Sequence, residues 1–197
     1  QKCEHEFSGV QCGIMDQFAV AMGEESKALY LDCKTLEYET IPFDLKPYQL
    51  VIVNSNKPRG LANSLYNDRV KECQQAVKDI NKKMNIADLG QLNLATFREV
   101  EHLIQHPVVR KRAFHVVNEN YRVKEAVKVL AQNNINTFGK LLNASHKSLK
   151  DYYEVTGPEL DALAEAAWQQ EGVLGARMTG AGFGGCTINF VHEDSYP

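Results

Sequence analysis

The sequence predicts an α+β fold. Three observations carry it: a strand pair near the start, long helical periodicities in the middle, and a glycine-rich run leading into a last strand. Strands, then helices, then strands is an α+β order rather than a repeat of βα units. Hydrophobic residues make up 44% of the 197 positions and charged residues 24%, which is enough to build a core without staples.

The elements follow in chain order. Ile14 to Val20 read as a helix whose first turn carries Asp16, an early carboxylate at the positive end of the helix dipole. Ala28 to Cys33 and Tyr38 to Phe43 alternate apolar and polar residues on either side of the turn Lys34–Glu37, a hairpin pattern. Tyr48 to Ser55, a continuous apolar run between Pro47 and Pro58, predicts a buried strand. Tyr66, Val70, Cys73, Val77, Ile80 and Met84 recur at steps of four and three, one apolar stripe of a long helix. Pro107 opens a second long helix reaching about Leu130, at a position where its missing N–H costs nothing. Ile135 to Lys150 predict one or two shorter helices. Thr156 and Glu159 form a capping-box pattern ahead of a helix through Leu160, Leu163, Ala167 and Trp168.

Bulk properties exclude several classes. A net charge of -3 argues against nucleic acid or a membrane surface as partner, and no apolar run has the length of a membrane span. The cysteines Cys3, Cys12, Cys33, Cys73 and Cys186 are odd in number and scattered without a CxxC pair. That fits a reducing, cytoplasmic setting rather than a disulfide framework or structural zinc. Asn143-Ala144-Ser145 matches the glycosylation sequon, and the cysteine usage makes the match accidental.

Two features stand out as chemistry. Asp16, between two apolar runs, is either a helix-terminus carboxylate or a placed base. Gly175, Gly180, Gly182, Gly184 and Gly185 crowd into one short stretch, which implies positive φ angles or close approach of the backbone to something. A loop beside a phosphate or sugar and a tight turn between strands both satisfy that pattern. It is not a Walker loop, having no Gly-Lys-Ser/Thr, and it opens no helix as a dinucleotide fingerprint would. His102 and His106 are read as solvent-facing, Glu4-His5-Glu6 as a solvated charged end, and Tyr66 as part of its apolar stripe.

The runs GVQCGIMDQF and GARMTGAGFGGC resemble the galactokinases, within the kinases named for galactose, homoserine, mevalonate and phosphomevalonate. LYLDCKTLEY, NSNKPRGLANSLYNDRVKEC, HVVNENYR and LLNASHKSLKDYYEVTGPELDALAEAA follow the same family in the same order, so the resemblance covers nearly the whole chain. It implies transfer of the γ-phosphoryl of ATP to the C1 hydroxyl of α-D-galactose, with magnesium. Asp16 matches the residue that accepts the hydroxyl proton, and Gly13 and Tyr66 match sugar contacts. Glu4 matches a magnesium ligand, although His5 stands where the family more often has Asn. Gly180, Ala181, Gly182, Phe183, Gly184 and Gly185 match a loop beside the nucleotide. Phe114 and Tyr152 depart from the family, and the expectation is that they alter surfaces.

The resemblance also implies an organisation. Residues 1–46 would be the tail of an N-terminal kinase domain. Residues 47–197 would be a C-terminal domain built on a ferredoxin-like antiparallel sheet. The family's N-terminal sugar signature and its Gly-Leu-Ser-Ser-Ser phosphate loop have no counterpart here, so the chain is expected to be an inactive portion of a longer enzyme that self-associates through uncovered apolar faces. A related kinase for an N-acetylated sugar, and a non-catalytic galactose and ATP sensor, are the alternatives.

Overall fold

A computed structural model describes residues 1–9, 12–58 and 62–195. After a π-helical turn, Glu4–Ser8, come α1 (Met15–Met22) and the antiparallel hairpin of β1 (Lys27–Leu31) and β2 (Tyr38–Pro42). Then follow β3 (Tyr48–Asn54), α2 (Ala62–Ile80), α3 (Leu94–Val100), α4 (Pro107–Ala131) and α5 (Ile135–Ser148). A second π-helical turn, Leu149–Tyr153, leads to α6 (Gly157–Trp168), β4 (Val173–Met178) and β5 (Cys186–His192). The predicted α+β class holds, with a three-stranded antiparallel sheet in the order β3-β5-β4.

The helical layer forms as its periodicity dictates. Cys73, Val77, Ile80 and Met84 of the predicted stripe face a core with Phe97, Ile104, Val109, Ala113 and Val117, so α2, α3 and α4 share one apolar cluster. Pro107 starts α4 with no carbonyl partner lost.

The sheet departs from prediction at β3, which lies on its edge. Leu50 and Ile52 remain 48% and 64% exposed while their neighbours point to the other face. A continuous apolar run can belong to a strand covered on both sides or to a half-covered edge, and composition cannot separate the two. The opposite edge, β4, is protected by side chains. Asn143 Oδ1 accepts the Ala176 N–H at 2.8 Å, and His146 Nδ1 accepts the Met178 N–H at 3.0 Å. Trp168 Nε1 donates to the Ala176 carbonyl at 3.0 Å. Three side chains thus occupy backbone groups that would otherwise template another strand. Asn143, the sequon residue, is committed to this role.

Helix α5 approaches β4 closely enough for the Asn143 and His146 bonds because Gly139 faces Gly175. A Cβ on Gly175 would lie 2.6 Å from the Gly139 carbonyl oxygen. Phe138 and Phe190 pack edge-on at 5.7 Å, and Phe43 meets them at 5.8 and 6.1 Å. Phe43 and Leu45, before the expected boundary at residue 46, therefore share a cluster with the C-terminal sheet.

The capping box does not form. Thr156 makes no side-chain bond to the α6 backbone, and Glu159 instead pairs with Lys57 Nζ at 2.6 Å. A long-range cation outcompetes the local bond that the sequence pattern offers. His102 and His106 are exposed as read. All five cysteines are free, and no helix among the described residues is long and apolar enough to cross a membrane.

His115 is buried, bonded through Nδ1 to the Ser148 hydroxyl at 2.9 Å, and stacked on Tyr153 with centroids 4.5 Å apart. Burial pushes its imidazole down to about 4, with Arg122, Arg177 and Arg112 acting the same way and Glu119 opposing them. Between pH 6.5 and 4 the unfolded chain takes up a proton that the fold refuses, so stability is full above this window and falls through it. The loss approaches about 3 kcal/mol at the acid end. Urea unfolding across pH 7 to 4 should show a shallower decline for His115→Gln than for the wild-type chain; coincident slopes would remove His115 as the source.

Candidate functional site

Three of the sequence-predicted residues meet where α1 approaches α2. Gln1 Nε2 and His5 Nε2 both bond the Cys12 carbonyl, at 3.0 and 2.9 Å, so the first π-helical turn anchors the backbone just before Gly13. His5 thus has a packing role of its own. The backbone of Gly13 lies in hydrogen-bonding reach of the Tyr66 hydroxyl, and the Asp16 charge acts on the same group. Tyr66 is half-buried, and burial is the largest influence holding its phenol above the ordinary range. It is therefore a neutral hydroxyl at physiological pH, able to donate or accept.

Asp16 sits in the first turn of α1, where no side chain caps the helix N-terminus. The carboxylate is exposed rather than set in an apolar surround, because α1 buries none of its residues; Val20 on the same helix is 89% exposed. Gly13 is likewise open: a Cβ there would meet nothing within 4 Å. Gly13, Asp16 and Tyr66 together make an open rim with one acceptor charge, one hydroxyl and one uncrowded stretch of backbone.

Behind Tyr66 on α2 stands Cys73, whose Sγ lies 3.9 Å from the Tyr153 hydroxyl. Burial raises both groups. They border a groove of about 530 Å³ lined by Val70, Val77, Leu89 and Val116.

The glycine run forms the loop between β4 and β5, the strand-to-strand alternative of the two readings. Positive φ angles occur at Gly180 (78°), Gly182 (84°), Phe183 (58°), Gly184 (131°) and Gly185 (90°). The density of glycine is explained by this left-handed path. Phe183 N–H donates to the Val155 carbonyl at 2.7 Å, and Ser55 N–H to the Gly185 carbonyl at 2.8 Å. The loop therefore stands between the lead into α2 and the lead into α6.

Glu4 is exposed on the first π-helical turn. Among the described residues no three His, Cys, Asp or Glu side chains gather as a metal site. Phe114 and Tyr152, the two departures, pack on each other with ring centroids 4.8 Å apart. Sequence reasoning missed the cluster beside them, Arg69, Glu72, Arg112 and Glu154. The available signal was an arginine at 112 inside the stripe Val109, Ala113, Val117.

Residues 126–195 match the family described as GHMP kinases C terminal. That segment is similar to the C-terminal domain of GHMP kinases. Within this class the chain is similar to galactokinase over nearly all its length. It is 55% identical over 194 residues to the galactokinases of Clostridium beijerinckii and of Streptococcus mutans, matching 98% of this chain and 50% of each relative. The crystal structure of Lactococcus lactis galactokinase complexed with galactose superposes with a TM-score of 0.95 at 52% identity, again over 98% of this chain and 50% of that one. The chain spans about half the length of the curated relatives it matches.

Gly182 and Gly13 should respond oppositely to alanine. At Gly182 a Cβ would need a positive φ and would press on the Val155 carbonyl, so Gly182→Ala should cost about 1–3 kcal/mol in urea unfolding. Gly13→Ala, in open space without positive φ, should change stability by less than about 0.5 kcal/mol.

Proposed function

We propose that this chain is the C-terminal half of a galactokinase, and that the whole enzyme transfers the γ-phosphoryl of ATP to the C1 hydroxyl of α-D-galactose in the cytoplasm. The observation that carries the reading is the meeting of Gly13, Asp16 and Tyr66 from segments fifty positions apart. The names of the relatives at 52–55% identity support it. On this reading residues 1–46 belong to the N-terminal kinase domain and the remainder to the C-terminal one.

Asp16 accepts the proton of the C1 hydroxyl as that oxygen attacks phosphorus. A free carboxylate within reach of the hydroxyl is the requirement, and the exposed rim leaves room for a sugar to come to it. Tyr66, kept neutral by burial, bonds a sugar hydroxyl, and the backbone at Gly13 lets the ring approach. The loop Gly180–Gly185 supports the phosphate region. Phosphoryl transfer rests mainly on alignment and charge neutralisation, so these positioning roles outweigh proton abstraction.

Magnesium bound with ATP would supply charge neutralisation at the phosphates, and a carboxylate of the chain would help to hold it. Glu4, an exposed carboxylate side chain, fits as one such carboxylate; it does not make a metal site alone. Uncovered apolar side chains at Val20, Leu50 and Ile52 are the surfaces through which the isolated chain would self-associate.

In the full-length enzyme, Asp16→Asn should lower kcat by at least about 100-fold with little change in either KM. Gly13→Ala should raise the KM for galactose without loss of stability. The 197-residue chain alone should give no turnover. Undiminished kcat in Asp16→Asn overturns the base assignment. A full-length protein that binds galactose and ATP without turnover would identify the sensor, and one that phosphorylates only N-acetylated sugars the related kinase.

A further inference from the structure

Arg112 is only 2% exposed, and a guanidinium cannot be buried without partners. It lies beside the apolar stripe of α4 and spends its donors in three directions. Nε bonds Glu72 Oε2 of α2 at 3.0 Å, Nη1 bonds the Tyr152 carbonyl at 2.6 Å, and Nη2 bonds Glu154 Oε2 at 2.8 Å. Arg69 of α2 completes the arrangement. Its Nη1 shares Glu72 Oε2 at 3.0 Å, its Nε takes the Tyr153 carbonyl at 2.7 Å, and its Nη2 takes the Glu154 carbonyl at 3.1 Å.

Three successive carbonyls, 152 to 154, are therefore held by two arginines from two helices. The segment needs holding. It leaves a π-helical turn, and Glu154 has a φ of 54°, a left-handed conformation that a non-glycine residue keeps only when its surroundings impose it. The next residue, Val155, receives the Phe183 N–H, and Gly182 packs against it with no room for a Cβ. A shift of residues 152–154 would move the surface on which the glycine loop rests.

We infer that Arg112 is a positioning residue for the glycine loop: by clamping residues 152–154 to α2 and α4 it fixes where Phe183 and its neighbours stand relative to Tyr66. The inference rests on the kinase reading for its consequence in catalysis, but not for the clamp itself. Tyr66 and Arg69 lie one helical turn apart on α2, so the sugar-side hydroxyl and the clamp share a rigid element. The ring contact of Phe114 with Tyr152 holds the same segment from α4.

Two measurements test this. In the full-length protein, amide hydrogen exchange at Phe183 should accelerate about tenfold in Arg112→Ala relative to the core amides of Ile104 and Val117. Glu154→Gln, at a side chain 47% exposed and so compatible with folding, should give a smaller local increase. Phe183 exchange that stays in step with the core in both variants overturns the clamp. In the full-length enzyme, both variants should raise the KM for ATP, by about tenfold for Arg112→Ala, and leave the KM for galactose within about twofold. Equal rises in both KM values, or none, in an active wild-type background overturn the positioning role. A wild-type protein without galactose phosphorylation overturns the kinase reading instead, and the exchange result still decides the clamp.

Discussion

One buried guanidinium organises the junction between the helical layer and the glycine loop. Desolvating Arg112 is costly, and only partners arriving together from α2 and residues 152–154 offset that cost. The cost is also what makes the junction specific. A rearrangement that frees one partner leaves a charge stranded in the interior, so few alternative packings of these segments are tolerable. Arg112 holds the Glu154 carboxyl below the usual carboxylate range, as such a contact must.

The sheet solves a different problem by related means. Strand β4 is an edge, yet its outward backbone groups are filled by Asn143, His146 and Trp168. His146 receives an N–H at Nδ1, which fixes its proton on Nε2, and that nitrogen faces Asp161 Oδ1 at 3.2 Å. The imidazole is neutral by construction, in line with burial lowering its proton affinity. The Gly139–Gly175 contact is what brings α5 near enough for the Asn143 and His146 bonds. Edge protection, helix approach and His146 tautomer are therefore one arrangement, set by two residues without side chains.

Legibility in the sequence followed the range of each interaction. The stripe from Tyr66 to Ile80 and the start of α4 at Pro107 are local patterns, and both became the predicted helices, although α2 ends at Ile80 and Met84 of the same stripe lies beyond it in a bend. The hairpin strands also lie where alternation put them. Misreadings arose where a distant residue decided. Glu159 left its capping box for Lys57, about a hundred positions away. Strand β3 took an edge because strand order is a property of the whole sheet. Of the candidate site, Asp16 stood out by itself, whereas Gly13 and Tyr66 were named only through the family resemblance and periodicity put Tyr66 in an apolar stripe. Their convergence was not legible, since nothing local records that α1 meets α2. Arg112 was invisible for the same reason: its partners lie forty positions to either side.

Glycine placement connects the sheet to the arginine junction. A loop with positive φ at Gly180, Gly182, Phe183, Gly184 and Gly185 gains its path by surrendering stiffness. Such a loop is useful beside a reacting group only if something else supplies rigidity. Two regular strands fix its ends, and Val155 and Ser55 fix its middle and its exit. Val155 in turn is only as well placed as residues 152–154. The arginine clamp and the glycine loop are then complementary: the buried charges provide the stiffness that the left-handed path gives up. On the proposed kinase reading, alignment is the main requirement of phosphoryl transfer, and this pairing would provide it.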